Sequence, residues 1–182
     1  LTRLSSAQVA ALRPEQVRAL GTAQLAGLTT TQVQALGSAD VAALRTEQIV
    51  ALTTAQAAVL SALQIGALGT GQIRALEPLD LSWISAQSLQ SMSTANLGLL
   101  SAAQIASLGT TQTAVLVNTQ MAALGAAALA GMGTRNIANL RSEQIAALTT
   151  AQVAALTTAQ VAALGTAQIV ALGVSSGVTA LD

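Results

Sequence analysis

The sequence predicts an all-α solenoid of very short helices, one per eight-residue repeat, with about four repeats to a coil. Three observations carry this. A period of eight runs from Ser5 to Leu172 without insertion or deletion, giving 21 octads. Each octad holds two apolar residues three positions apart, and both prolines of the chain fall at the same place in the word. The word is clearest in residues 149–172, TTAQVAAL-TTAQVAAL-GTAQIVAL, and Leu1 and Leu4 fit a truncated copy ahead of the first.

Numbered 1 to 8 as T-T-A-Q-V-A-A-L, position 8 is Leu except at Ile84, Met92 and Met132. Position 5 is Val, Ile, Leu or Met except at Ala57 and Thr113. Both exceptions carry Val two residues later, at Val59 and Val115, so positions 5 and 7 border the same core space. A strand would set positions 5 and 8 on opposite faces, and Ala and Gln are poor strand formers. One continuous helix would rotate its apolar stripe by about 80° per octad and never form a seam. A short helix followed by a corner satisfies the pattern, because residues three apart share a helical face. Pro14 and Pro78 sit at position 2, the first helical residue, where a missing N–H costs nothing. Position 1 is then the N-cap, and its Thr, Ser and Gly suit that role; Gly there also suits termination of the preceding helix. Position 4 is Gln in fifteen octads, and Asp40, Asp80, Asn96 and Asn136 occupy four more. An amide there completes a capping box, or forms a ladder between neighbouring coils. Arg13/Glu15, Arg45/Glu47 and Arg141/Glu143 pair positions 1 and 3 on the solvent side, at about 0–1 kcal/mol each.

Helices this short do not persist alone, so stability must come from stacking octads. The Arg-x-Glu octads start at 13, 45 and 141, separated by 32 and 96 residues. Glycines at 37, 69, 133 and 165 follow the same interval. Four octads per coil and five to six coils follow, a narrow rod roughly 50 Å long at helix spacings of about 8–10 Å. The domain division is a repeat solenoid over 1–172, irregular at 77–100 and 125–140, and an exit segment at 173–182. The segment 77–100 holds the only aromatic residue, Trp83. With Asp80 and Met92 it forms the candidate binding patch.

Composition removes most chemistry. The chain has no His, Cys, Lys or Tyr. General bases, activated nucleophiles and transition-metal ligands of the common kinds are therefore missing, and no catalytic residue, metal site or cofactor is expected. Seven Arg balance seven acidic residues, which leaves no electrostatic footprint for nucleic acid. Thr, Gln, Gly or Ser interrupts every octad, so no membrane span is expected. The chain opens on Leu1 with no signal-peptide pattern, as a mature piece or a fragment would.

The words LRPEQVRAL (12–20), LRTEQIVAL (44–52) and LRSEQIAAL (140–148) resemble the L-T-x-E-Q-[IV]-x-x-L tracts of large repetitive bacterial proteins. The resemblance covers 1–172, departs at 77–100 and 125–140, and transfers no functional residue. It implies a secreted or cell-surface setting in which repeats extend or assemble. The expectation is a non-enzymatic extracellular fibre, stalk or surface-assembly segment that self-associates end to end or continues into a longer parent chain. A protein- or peptide-binding scaffold around Trp83 is the alternative. Ice binding through Thr corners is a third, but at 32-residue spacing the row reads Thr22, Thr54, Ala86, Asn118, Thr150 and is interrupted.

Overall fold

A computed structural model describes residues 4–175; Leu1 and the exit segment beyond Ser175 lie outside the described residues. It holds one helix per octad, labelled in chain order from α1 (Ser6–Ala10) to α21 (Thr166–Ser175), and no strand among the described residues. Most helices have five or six residues; α12 (Thr94–Leu97) and α16 (Ala126–Leu129) have four. Position 1 is the N-cap of the first twenty helices, and Pro14 and Pro78 open α2 (Pro14–Ala19) and α10 (Pro78–Trp83).

The coil closes after three octads, in place of the four expected from the markers. Each helix packs on the third helix before and the third helix after it, from α1 on α4 (Thr30–Ala35) through to α18 (Ser142–Ala146) on α21. Twenty-four residues therefore make one triangular turn, and the 21 helices make seven turns. At helix spacings of about 8–10 Å the rod is roughly 50–60 Å long. The corner is made by backbone: Leu20 (φ −61°, ψ 140°) and Gly21 (φ −70°, ψ 154°) are both extended, and the same pair recurs at Leu36 and Gly37. Negative φ at these glycines means that they start helices in the way Ser or Thr does. They do not end the preceding helix in a left-handed turn.

Positions 5 and 8 form one continuous core along the rod, from Val9 to Leu148. Ala57 and Thr113 are fully buried at position 5, and Val59 and Val115 beside them are half-buried, as the volume argument expects. Thr113 satisfies its hydroxyl locally on the carbonyls of Gly109 and Thr110. α21 runs on through position 8 to Ser175 and does not turn at Leu172.

Each irregular stretch, 77–100 and 125–140, holds a glycine at a close backbone approach. A Cβ on Gly131 would lie 2.6 Å from the carbonyl oxygen of Ala102, in α13 (Ala102–Ser107). One on Gly98 would lie 2.9 Å from that of Ala123, in α15 (Asn118–Ala123). Neither neighbour can swing aside, because both are backbone. Gly131→Ala should therefore cost about 1–3 kcal/mol, measured by urea denaturation. The same change at Gly133, where nothing lies within 4 Å, should be near neutral or mildly stabilising.

Candidate functional site

A helix of five residues has almost nothing but end groups, so nearly all its N–H and C=O groups need partners from outside. The position-4 glutamines supply them. Gln104 is 3% exposed. Its Oε1 accepts from the N-cap N–H of Ser101 at 2.9 Å. Its Nε2 donates to the carbonyls of Ile73 and Leu76 at 2.9 and 2.8 Å. Those carbonyls belong to positions 5 and 8 of an octad in the coil below. The pattern repeats at Gln48, Gln64, Gln72, Gln112, Gln144, Gln152 and Gln168, always 31 and 28 residues back. One amide is thus both the cap and the ladder. Glutamate could cap the helix but could not donate downward, which explains the preference for Gln.

Arginine at position 1 adds a second tie. Arg45 donates from Nη1 to the Arg18 carbonyl and from Nη2 to that of Leu20 at 3.4 Å, and Arg141 treats Ala114 and Leu116 likewise. Both arginines cap helix C-termini of the preceding coil. Of the three Arg-x-Glu pairs only Arg45–Glu47 closes, at 2.7 Å, and it is the one ion pair among the described residues. Glu47's own backbone N–H and the Arg45 guanidinium hold its carboxyl below the usual carboxylate range. A depressed folded pKa contributes stability that is fully present above the unfolded pKa and is lost as pH falls through the folded pKa. With no His, Cys, Lys or Tyr in the chain, thermal stability should stay flat from about pH 6 to 9 and fall only below about pH 5. A pH series of melting curves checks this.

Residues 77–100 turn out to be one whole coil in which the ladder is thinned. Asp80 cannot donate; it accepts from the Thr54 hydroxyl at 2.8 Å. Ser88 and Asn96 are shorter than Gln and reach one carbonyl each, Leu60 and Leu68. Ser91 adds a bond to the Ala62 carbonyl. Elsewhere Ala128 makes no such bond and Asn136 makes one, to Leu108. Asn96→Gln should restore the second bond and raise stability by about 0.5–1.5 kcal/mol in chemical denaturation.

The structure separates the three residues of the candidate patch. Met92 is 1% exposed in the core, and Asp80 is 4% exposed within the inter-coil network. Trp83 alone is at the surface, 61% exposed, with Leu79 one helical turn away at 62%. Trp83 borders a shallow depression of about 240 Å³ with Thr54, Ala55 and Ala58 of α7 (Thr54–Ala58), the helix beneath it. The three-octad coil also creates an alignment that a 32-residue spacing hides. At 24 residues, position 2 on one side reads Thr22, Thr46, Thr70, Thr94, Asn118, Ser142, Thr166, and all but the half-buried Ser142 are exposed.

Among the described residues no group of three His, Cys, Asp or Glu could hold a metal ion, and no helix is long and apolar enough to cross a membrane. A family model described as the ALTTAQ repeat matches residues 1–38, 33–70, 73–110, 114–150 and 137–174. Its word stands in full at 51–56, 147–152 and 155–160. No curated protein matches the chain.

Proposed function

The chain belongs to the ALTTAQ repeat family, and from that premise we propose that it is a non-enzymatic structural rod, acting as an extracellular fibre, stalk or surface-assembly segment. The supporting observation is the amide ladder. Its buried polar side chains are engaged in holding coil on coil, and no buried side-chain polar atom among the described residues lacks a partner. Such an array gains stability from each added coil, which suits extension and assembly. The placement outside the cell, at a bacterial surface, rests on the resemblance to repetitive secreted proteins. Electron microscopy of the purified chain tests the rod: particles elongated to about seven coil spacings that associate end to end support it. A strictly monomeric species at high concentration would remove the fibre, and compact round particles would remove the rod itself. Surface proteolysis of intact source cells tests the location.

A second reading is a protein- or peptide-binding scaffold, favoured by the exposed Trp83–Leu79 pair over the depression of Ala55 and Ala58. Trp83 is the only aromatic residue, so its emission reports any partner directly. Trp83→Ala that loses a partner at unchanged stability supports this reading, and loss of stability alone counts against it. The aligned hydroxyl row from Thr22 to Thr166 favours the third reading, ice binding. A thermal hysteresis assay without activity would end it.

A further inference from the structure

One side of the three-sided rod carries almost no charge. Helices α1, α4, α7, α10, α13, α16 and α19 (Thr150–Ala154) stack to make it. Every arginine from Arg13 to Arg141 lies on the other two sides, as do Glu15, Asp40, Glu47 and Glu143. Among the described residues the side has two charged members: Asp80, which is buried, and Glu77, the N-cap residue at the corner that opens α10. Its outward positions are otherwise nearly all Ala, Ser, Thr or Gly. From this low surface Leu79 and Trp83 of α10 stand out, both exposed. Next to them α7 offers only the short Ala55 and Ala58, which line the depression. A projecting pair and a hollow thus lie on neighbouring helices of one side, in the same register along the helix.

We propose that this side packs against the same side of a second copy of the chain, with the two rods antiparallel. The contact runs along the rod and is separate from end-to-end growth. A two-fold axis parallel to the helices, between α7 and α10, sets α10 of each copy over α7 of the other. Leu79 and Trp83, at positions 3 and 7, then fall on Ala55 and Ala58 of the partner subunit, at positions 3 and 6. The same axis lays α13 over the partner's α4 and α16 over the partner's α1, where short side chains meet: Ala103 opposite Thr31, and Ala127 opposite Ala7. Symmetry repeats every contact, as an isologous interface requires. Charge selects the occupant. An acidic or basic partner finds no counter-charge on this side, whereas a like side buries no charge at the centre and keeps Glu77 at the rim. Area agrees: six helices about 10 Å long at spacings of about 8–10 Å cover roughly 500–600 Å² per copy, about 1,000–1,200 Å² in all, the size at which specific pairs begin. The tryptophan and leucine at its middle are anchors of the kind that carry most of the energy of such contacts.

Sedimentation velocity and cysteine cross-linking of the full chain test the pairing. The wild type should associate as concentration rises, with a shift in the emission of Trp83, the only aromatic residue. Leu79→Glu, at an exposed position, should raise the dissociation constant about 100-fold or more with an unchanged circular dichroism spectrum. Leu63→Glu in α8 (Ala62–Gly66), on another side of the rod and more exposed still, should associate as the wild type does. Thr31→Cys and Ala103→Cys, made as separate single variants, read the register. Mixed and oxidised they should give a cross-linked heterodimer, and each alone should give little. Cross-linking of Ala103→Cys to itself in preference to the mixture overturns the antiparallel register. Undiminished association of Leu79→Glu overturns the choice of side and leaves the rod standing. A wild type that stays monomeric throughout overturns the pairing and leaves the Trp83 side to a partner of different sequence. Should Leu79→Glu lose its helical signal, the cysteine mixture still decides, because both of its changes lie away from α7 and α10 and a mixture without cross-link contradicts the proposal.

Discussion

Gln104→Glu should lower stability by about 3 kcal/mol or more at pH 7, measured by urea denaturation. The substitution is isosteric and leaves the cap on Ser101 in place. It also points a carboxylate oxygen at the Ile73 and Leu76 carbonyls, 2.9 and 2.8 Å away, at a position 3% exposed. Neutralisation relieves the conflict, because a protonated carboxyl can donate to Leu76. The folded pKa of the introduced Glu is thus raised above its unfolded value of about 4.3. Sign follows directly: the variant binds the proton more tightly when folded, so its deficit against wild type is small below the unfolded pKa and grows as pH rises through the folded value. The same change at exposed Gln16 in an isolated monomer should cost within about 0.5 kcal/mol.

Ile105→Ala should cost about 2–5 kcal/mol. Ile105 is fully buried at position 5 of α13, held between α10 below and α16 above. In a globular core the loss would be shared by the whole domain. In an array where each coil touches only its neighbours it stays local and weakens the coupling on either side. Hydrogen exchange should show protection falling first in the coils around 77–132 and persisting near 29–52. Leu63→Ala, at a solvent position 79% exposed, should change stability by less than about 0.5 kcal/mol.

Which parts of this were legible in the sequence follows from where each constraint is written. The helix start is written in side chains: Pro at position 2 and Gln at position 4 leave little choice, and both sit where the word places them. The core pair is legible for the same reason, down to the compensation of Ala57 by Val59. Coil closure is not written in side chains. Positions 5 and 8 read alike on all three sides, and at corners such as Leu20–Gly21 and Leu36–Gly37 the turn is set by two extended residues, a conformation any residue type can adopt. The charge markers misled because 96 residues, the interval from Arg45 to Arg141, is a multiple of both 24 and 32. Arg13, at 32 residues from Arg45, lies on a different side. The candidate site suffered in consequence. Met92 is close to Trp83 in sequence, but position 8 faces inward; the threonine row lines up only at the 24-residue spacing, which no side-chain marker displays.

Closure after three octads is the claim on which the ladder and the threonine row both depend, and the absence of cysteine makes it directly measurable. A Cβ on Gly71 would lie 3.5 Å from Cγ2 of Thr46, one coil below, which is close to disulfide reach. Thr46→Cys with Gly71→Cys should oxidise rapidly to an intramolecular disulfide, read as a mobility shift on non-reducing gels and as a lost pair of free thiols. Thr46→Cys with Leu79→Cys, the pair that a four-octad coil would bring together, should remain reduced under the same conditions. Rapid closure of the second pair, with the first left open, would contradict the three-sided coil.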